Sequence, residues 1–216
     1  MINVETFVFN PFAENTYIVY DSDTLEGFIV DPGCSDIREE EEVSRFVEHN
    51  NLNIKFMFNT HGHIDHILGD RFIKEKYSPL FYYPENEIHF FDIMEKQAIK
   101  YGVSYNKPPK PDKFFDEFEE LSIGNTKIRF ISTPGHSPDE YCIYLPEMNI
   151  CFTGDVLFNE SIGRTDLWGG DYSILIYSIK SKLYTLPAET IIYPGHGEKS
   201  DIKYEMRYNP FVKIVD

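Results

Sequence analysis

The stretch Thr60-His61-Gly62-His63-Ile64-Asp65-His66 places three imidazoles and one carboxylate within seven residues. Imidazole nitrogens and carboxylate oxygens are the ligands that zinc and iron accept in proteins. A solvated polar loop gives no reason for three histidines to surround an aspartate. The stretch therefore predicts part of a metal site, and its interleaved spacing indicates half of a site for two metals.

The residues before this stretch predict how its ligands are presented. Ile54–Asn59 is short and apolar, which is typical of a buried strand that ends at the edge of a sheet. If the chain leaves that strand in extended form, His61 and His63 point the same way. Asp65 and His66 then fall on a following helical turn and face a second point. One metal would take the first pair, and the other metal the second pair.

Further candidate ligands follow other predicted strands. His136 comes after the apolar run Lys127–Ile131, and His196 comes after Thr190–Ile192, each through a Pro-Gly turn. Between them, another apolar run ends at Asp155. Four strand ends would therefore each present ligands, at the edge where α/β sheets usually build their sites.

Five motifs, taken in order along the chain, resemble those of the metallo-β-lactamase-fold hydrolases, and most closely the glyoxalase II (hydroxyacylglutathione hydrolase) branch. They are Asp31-Pro32-Gly33, Thr60 to His66, Pro134-Gly135-His136, Thr153-Gly154-Asp155 and Pro194-Gly195-His196. One short motif arises easily by coincidence, but five in order do not. The resemblance covers nearly the whole chain and implies the α/β fold of that family, a four-layer αββα sandwich.

The resemblance also implies which residues hold the metals. The implied ligands are His61, His63 and His136 for one ion, Asp65, His66 and His196 for a second, and Asp155 as a bridge between the two. Asp31 would support the ligands from behind without touching a metal. His49 and His89 lie in charged and aromatic surroundings and are expected to have no part in the site.

The mechanism expected of such a site is metal-assisted acyl hydrolysis. A zinc-class cation lowers the pKa of bound water from about 16 to near neutrality, so a metal-bridging hydroxide is available as the nucleophile. Asp65 and Asp155 would help to hold both cations and guide the proton. Two divalent ions are therefore expected, most simply zinc, and iron or manganese also suits histidine and aspartate ligands.

The expected substrate is a thioester of the S-2-hydroxyacylglutathione type, on the strength of the resemblance. Glyoxalase II proteins direct a Gly-basic pair at glutathione, and Gly163-Arg164 matches that pair. Arg164 could then bind a substrate carboxylate. An equally weighted alternative is a structural Arg164 paired with Asp166. The stretch after His196 is expected to be too short for the helical region with which classical glyoxalase II enzymes hold glutathione.

Other activities stay open. Gly163-Arg164-Thr165-Asp166 looks like the corresponding stretch of persulfide dioxygenases, which bind a single iron. The iron ligands of those enzymes match His61, His136 and Asp155. Lactone hydrolases of the same fold share all the ligands named above. A module that binds metal without turnover is disfavoured, because no ligand is missing.

Length and composition predict one catalytic domain over residues 1–216. No apolar stretch approaches the ~20 residues of a membrane span, and the first residues do not resemble a signal peptide. Cys34, Cys142 and Cys151 have no CxxC spacing, which suits reduced thiols and a cytoplasmic protein. The net charge of −16 argues against nucleic acid, so the expected partner is a small anionic thioester. The sequence carries no signal for oligomeric state.

Strands and helices are expected to alternate in two similar halves. The expected elements are strands at Phe7–Phe9, Thr16–Tyr20 and Gly27–Val30, a helix over Ile37–His49, a helical stretch over about Glu85–Tyr101, an extended loop at Lys107–Pro111, strands near Ile128, Tyr141 and Ile150, a helix over about Tyr172–Leu183 and a last strand before His196.

Overall fold

The computed structural model describes residues 1–214 as a mixed α/β protein. The chain divides into two compact units, which are Met1–Phe114 with Ile123–Asn125, and Phe115–Ser122 with the chain from Thr126 onward. Each unit is built on a six-stranded sheet. The assignment of residues 1–216 to one domain stays a prediction.

The first unit contains six strands and four helices in the described chain. They are β1 (Ile2–Phe9), β2 (Glu14–Asp21), β3 (Glu26–Val30), α1 (Ile37–His49), β4 (Asn53–Phe58), α2 (Ile64–Ile67), α3 (Asp70–Tyr77), β5 (Leu80–Tyr83), α4 (Phe90–Tyr101) and β6 (Lys113–Phe114). The strands follow one another in chain order across the sheet. β1, β2 and β3 pair antiparallel, whereas β3, β4, β5 and β6 pair parallel.

The parallel pairing of β3 and β4 determines where the first set of predicted ligands emerges. Val30 pairs with Phe58, so the two strands end side by side and Asp31 begins beside Asn59. The Asp31 N–H continues the ladder by donating to Phe58 O at 2.9 Å. Parallel strands deliver their carboxyl ends to the same edge of a sheet, and this edge receives both Asp31 and His61.

Buried apolar residues on the strands and helices stabilise the first unit. Ile29 and Met57 on the central strands and Val43 on α1 belong to one cluster of buried side chains. Helix α1 starts at Ile37, as predicted, and the Asp36 carboxylate accepts the N–H groups of Arg38 and Glu39. Such an N-cap satisfies backbone donors that have no partner within the helix.

The second unit contains the remaining strands and two α-helices in the described chain, except that Ile123, the last residue of β7, belongs to the first unit. They are β7 (Leu121–Ile123), β8 (Thr126–Ser132), β9 (Tyr141–Leu145), β10 (Ile150–Gly154), β11 (Leu157–Phe158), β12 (Ser161–Ile162), α5 (Tyr172–Ser181), β13 (Ile191–Pro194), β14 (Ser200–Asp201) and α6 (Ile202–Tyr208). The main sheet has the order β14-β13-β10-β9-β8-β7, and β11 and β12 form a separate hairpin. Cys142 and Cys151 lie in the core of the second unit, and Cys34, Cys142 and Cys151 are free cysteines.

Three strand ends of the second unit share one edge of its sheet. β10 and β13 are parallel, and Gly154 pairs with Pro194. β8 and β10 are each antiparallel to β9, so β8 runs in the same direction as β10. The residues that follow these strands therefore include His136, Asp155 and His196 at one edge.

The structure differs from the sequence-based element assignment in the region after the histidine stretch. Helix α3 and strand β5 were not predicted. Helix α3 is only eight residues long, is mostly charged and is followed by Ser78, its C-cap residue, whose φ is 54°. The expected helical stretch over Glu85–Tyr101 is a 3-10 turn at Glu85–Glu87 followed by α4.

Within residues 1–214, no helix combines the length and the apolar character that crossing a membrane would require.

A buried carboxyl group begins helix α3. Asp70 has no exposed surface, and the Asn59 amide donates to its Oδ1 at 3.1 Å and to His66 O at 2.9 Å. Burial raises the pKa of Asp70 well above its ordinary value, and the Asn59 hydrogen bond lowers it only in part. The folded protein therefore favours the neutral form of Asp70.

We predict that the metal-free protein loses stability relative to its Asp70→Asn variant as the pH rises above about 4. Because the folded pKa of Asp70 exceeds the unfolded one, its stabilising contribution is complete below the unfolded pKa and is lost as pH rises toward the folded pKa. The difference in unfolding free energy should grow by up to about 1.4 kcal/mol per pH unit. Urea unfolding of both proteins between pH 4 and pH 8 measures it, and a difference that is independent of pH would contradict the prediction.

Candidate metal centre

Four of the predicted ligands lie together in the first unit, beyond the end of β4. The ring centroids of His61 and His63 are 4.7 Å apart, and those of His61 and His66 are 4.2 Å apart. His66 Nε2 lies 3.8 Å from Asp65 Oδ2. His61 and His66 are fully buried, whereas the Asp65 side chain retains partial exposure.

The local backbone accounts for this grouping. His63 is extended, with φ −68° and ψ 152°, and immediately precedes α2. Asp65 and His66 lie on that short helix, as the sequence predicts. The extended segment brings His61 and His63 to one region, and the short helix brings the adjacent Asp65 and His66 to the same region.

Asp31 lies behind this group and connects two of its histidines. Its Oδ1 accepts the Thr60 N–H at 2.7 Å, and its Oδ2 accepts the Thr60 hydroxyl at 2.8 Å. His66 Nδ1 lies 3.1 Å from the same Oδ2. Asp31 itself has φ 48°, a left-handed conformation that aspartate tolerates better than most residues.

These contacts determine which nitrogen of His61 carries its proton. The Thr60 hydroxyl has one proton and gives it to Asp31, so it can only accept from His61 Nδ1, which lies 3.0 Å away. Nε2 of His61 is then the nitrogen with the lone pair that a metal requires. The Asp31 carboxylate lies beside His66 Nδ1 and likewise favours the proton on that nitrogen, which leaves the lone pair on Nε2.

Three more predicted ligands lie together in the second unit. His136 Nε2 is 3.5 Å from Asp155 Oδ2, and His196 Nε2 is 3.7 Å from the same oxygen. These distances exceed the usual 2.7–3.2 Å of an N–H···O hydrogen bond. Two ligand atoms that bind the same tetrahedral zinc ion, each at about 2.0–2.1 Å, lie about 3.4 Å apart. The observed distances approach this separation.

The surroundings of His136 and Asp155 hold both residues in place. His136 Nδ1 donates to the carbonyl oxygen of Arg164 at 2.7 Å, which again leaves Nε2 as the lone-pair nitrogen. A Cβ at Gly163 would lie 1.8 Å from the carbonyl oxygen of Asp155, so only glycine allows this loop to approach. The buried Glu140 accepts the Asp155 N–H at 2.8 Å.

The residues present therefore fit divalent metal ions by the chemistry of their donors. His61, His66 and His136 each have Nδ1 beside a hydroxyl, carboxylate or carbonyl oxygen. Metal-binding histidines almost always have such a partner on the second ring nitrogen. Asp65 in the first unit and Asp155 in the second add carboxylate oxygens, which divalent cations such as zinc also accept.

Comparison with known proteins identifies the family. The model of the metallo-β-lactamase superfamily matches residues 9–196, a range that includes all seven predicted ligands. The chain belongs to the metallo-β-lactamase superfamily. Its membership, its mixed α/β structure and its fold neighbours confirm the fold class predicted from the sequence.

Individual relatives are similar over almost their whole length. Hydroxyacylglutathione hydrolase GloC of Haemophilus influenzae is 34% identical over 213 residues, which cover 98% of each chain. The BLEG-1 B3 metallo-β-lactamase structure has a TM-score of 0.86 at 32% identity and covers 97% of this chain and 99% of its own. The structure of TTHA1623 in a di-iron-bound form has a TM-score of 0.84 at 31% identity, with 96% and 99% coverage.

In this superfamily member, Arg164 forms the local ion pair that the sequence offered as one alternative. Its Nε and one terminal nitrogen each lie 2.7 Å from an oxygen of Asp166, and both side chains are mostly exposed. The hydrogen bonds from Arg164 lower the pKa of Asp166 to about 2. A role for Arg164 in substrate binding stays a prediction.

The structure adds a supporting residue that the sequence did not indicate, and it places two further histidines apart from the predicted ligands. Glu140 was not singled out, because an acid between Asp139 and a strand suggests a solvated turn. Its complete burial gives no signal in the sequence pattern. His49 and His89 are exposed and lie outside the groups of ligands.

We predict that Asp31→Asn weakens zinc binding by about 10–100-fold, the usual effect of removing a partner of a metal ligand. Asparagine has one side-chain acceptor oxygen in place of two, so one of the two hydrogen bonds from Thr60 would be lost. A competition titration with a chromophoric chelator measures the affinity. Asp36→Asn is the matched control, since asparagine also caps helices, and equal affinities for the two variants would contradict the prediction.

Proposed function

We propose that this protein is a binuclear metal-dependent hydrolase that cleaves thioesters of the S-2-hydroxyacylglutathione type. The observation that carries the proposal is the approach of two histidine Nε2 atoms to one carboxylate oxygen, Asp155 Oδ2. The 34% identity to hydroxyacylglutathione hydrolase GloC supports the substrate class.

In this proposal, the ligand sets of the two units bind the metals together. The proposed ligands are His61, His63 and His136 for one ion, and Asp65, His66 and His196 for the other. Asp155 would serve as a ligand to both ions, and Asp31 would hold the ligands in place. The match of the superfamily model over residues 9–196 supports a shared centre, because one conserved domain model spans both sets.

The residues of the chain hold the metal ions, accept a proton and keep the ligands oriented. Divalent ions, when bound, supply a water nucleophile at neutral pH and polarise an acyl carbonyl. Asp155 and Asp65 keep the cations close to one another and can accept the proton that the attacking water loses. His61 and His66 hold fixed orientations, because their Nδ1 atoms contact Thr60 and Asp31. Because His61 and His66 are buried, the electrostatic effect of the site on the reacting carbonyl group is stronger than it would be in water.

We take zinc as the resident metal, with iron or manganese as the alternatives. The ligands are imidazoles and carboxylates, which all three metals accept. A di-iron form is known for the similar protein TTHA1623, so iron is the alternative with an observation behind it. Metal analysis of protein purified from its natural host would distinguish them.

The expected partner is a small anionic thioester, not nucleic acid or a membrane. The charge of −16 repels a phosphate backbone over most of the surface. The cytoplasmic location also stays a proposal, and the free thiols Cys34, Cys142 and Cys151 support it.

The activity test compares three substrates with the metal-loaded enzyme. We expect hydrolysis of S-lactoylglutathione, no oxygen uptake with glutathione persulfide, and slower cleavage of simple lactones. Oxygen uptake with persulfide and one iron per chain would instead establish the dioxygenase alternative. Lactone cleavage that exceeds thioester cleavage would replace the substrate class and retain the hydrolytic chemistry.

We predict that His63→Ala removes the metal ion that His63 would bind, that Asp155→Ala removes both metal ions, and that each substitution abolishes hydrolytic activity. Each substitution deletes a ligand, and loss of Asp155 also leaves two cations without their shared anion. Metal content by mass spectrometry and thioester turnover are measured on the same preparation. Full activity in Asp155→Ala would refute the binuclear arrangement.

We predict that Arg164→Ala raises KM for anionic thioesters about tenfold, which corresponds to a charge-assisted hydrogen bond of about 1.5 kcal/mol. Asp166 now holds the guanidinium, so Asp166→Asn should release it and lower KM. Steady-state kinetics of both variants provide the test. If both retain the KM of the wild type, Arg164 has only a structural role.

A further inference from the structure

A buried carboxyl group lies behind the turn that carries His61 and His63. Glu87 has no exposed surface, and its Oε2 accepts the Gly62 N–H at 2.6 Å. Gly62 is the residue between the two histidines, so this hydrogen bond holds the peptide that sets the separation of their rings. Hydrogen bonds to a carboxylate are shorter and stronger than those between neutral groups.

The segment around Glu87 packs tightly against the same turn. A Cβ at Gly62 would lie 2.1 Å from Tyr83 Oη and 2.8 Å from Phe90 Cδ2. Tyr83 Oη in turn donates to the carbonyl oxygen of Glu87 at 3.3 Å. The Phe90 ring stacks on His63, with centroids 6.0 Å apart and planes within 9°. Residues 83–90 therefore form a wall that constrains both the backbone and one ring of this ligand pair.

A second residue holds the backbone of Asp65. Asn10 Nδ2 donates to Asp65 O and to Gly33 O, each at 3.0 Å. Asn10 Oδ1 accepts the Phe12 N–H at 3.0 Å, and the Asn10 backbone has φ 54°, which asparagine adopts readily. The Asn10 N–H donates to Glu39 Oε1 at 2.9 Å. The loop between β1 and β2 is thereby fixed to the peptide that carries Asp65.

We propose that Glu87 and Asn10 are positioning residues that act on the two metal ions separately. Glu87 orients His61 and His63, and Asn10 orients Asp65. Both act through backbone groups of the ligand stretch. The inference rests on the proposed binuclear centre, in which these ligands belong to different ions. Because Glu87 and Asn10 hold different peptides, loss of either one weakens one metal-binding step more than the other.

Stepwise binding of Co²⁺ to chelator-stripped protein, followed by visible absorption and calorimetry, tests this proposal. Glu87→Ala removes the acceptor for Gly62, whereas Glu87→Gln keeps an acceptor oxygen and serves as the matched control. Asn10→Asp keeps the acceptor for Phe12 and tolerates the same φ, but it removes the donors to Asp65 and Gly33. His63→Ala and His66→Ala identify which binding step belongs to which ligand set.

We expect Glu87→Ala to weaken the step that His63→Ala abolishes by about 10–100-fold, with Glu87→Gln within about threefold of the wild type on the same scale. Asn10→Asp should weaken the step that His66→Ala abolishes by a similar factor. Thermal unfolding of the metal-free variants shows whether the fold is retained. Unchanged binding steps, or equal weakening of both steps together with a less stable metal-free protein, would overturn the proposal.

The outcomes also separate this inference from the proposed function. A wild-type chain that binds one Co²⁺ overturns both, since two ions are required. If two ions bind and the Glu87 and Asn10 variants weaken the same binding steps to the same extent, only the positioning roles are overturned. Two bound ions, the expected selectivity and no thioester cleavage retain the positioning roles and overturn the substrate class.

Discussion

The hydrogen bonds of the Asp31 carboxylate are the constraint on which the first ligand set depends. One oxygen accepts the Thr60 N–H, and the other receives the Thr60 hydroxyl and faces His66 Nδ1. Through Thr60, the same carboxylate also determines the tautomer of His61. A buried carboxylate is costly unless hydrogen bonds compensate it, so the contacts that stabilise Asp31 also orient the ligands. Parallel pairing of β3 and β4 makes this possible, because it ends both strands side by side.

The second ligand set depends on a comparable convergence around Asp155. β10 and β13 are parallel and end together, and the Gly195 N–H donates to Gly154 O at 2.7 Å beyond their last pair. Glu140 holds the backbone of Asp155, and the close approach of Gly163 brings the Arg164 carbonyl oxygen to His136. In both units, the proposed metal ligands come from strand ends and short turns, while buried polar groups behind them fix their orientation.

The sequence was informative wherever a residue's chemistry is itself the signal. The sequence predicted the ligand groups of each unit from histidines next to an aspartate and from a ligand-type residue after each apolar run. Imidazoles rarely cluster for any other reason. The start of α1 was also predictable, since Asp36 is a strong helix cap.

Apart from Asp31, the residues that support the ligands were not predictable in the same way. Glu87, Glu140 and Asn10 are polar residues of types that are common in surface loops, and only the fold shows what they contact. Helix α3 was missed because it is short and largely charged. For Arg164, the sequence left two equal alternatives, and the ion pair with Asp166 depends on local backbone geometry that spacing does not encode.

We propose that the seven ligands together hold two metal ions, with Asp155 as the ligand common to both. Crystals of the zinc-reconstituted protein, measured on both sides of the zinc absorption edge, test it most directly. The account predicts two anomalous peaks per chain, with His61, His63 and His136 at one, Asp65, His66 and His196 at the other, and Asp155 at both. A single peak, or two peaks that each contact ligands from one unit only, would contradict it.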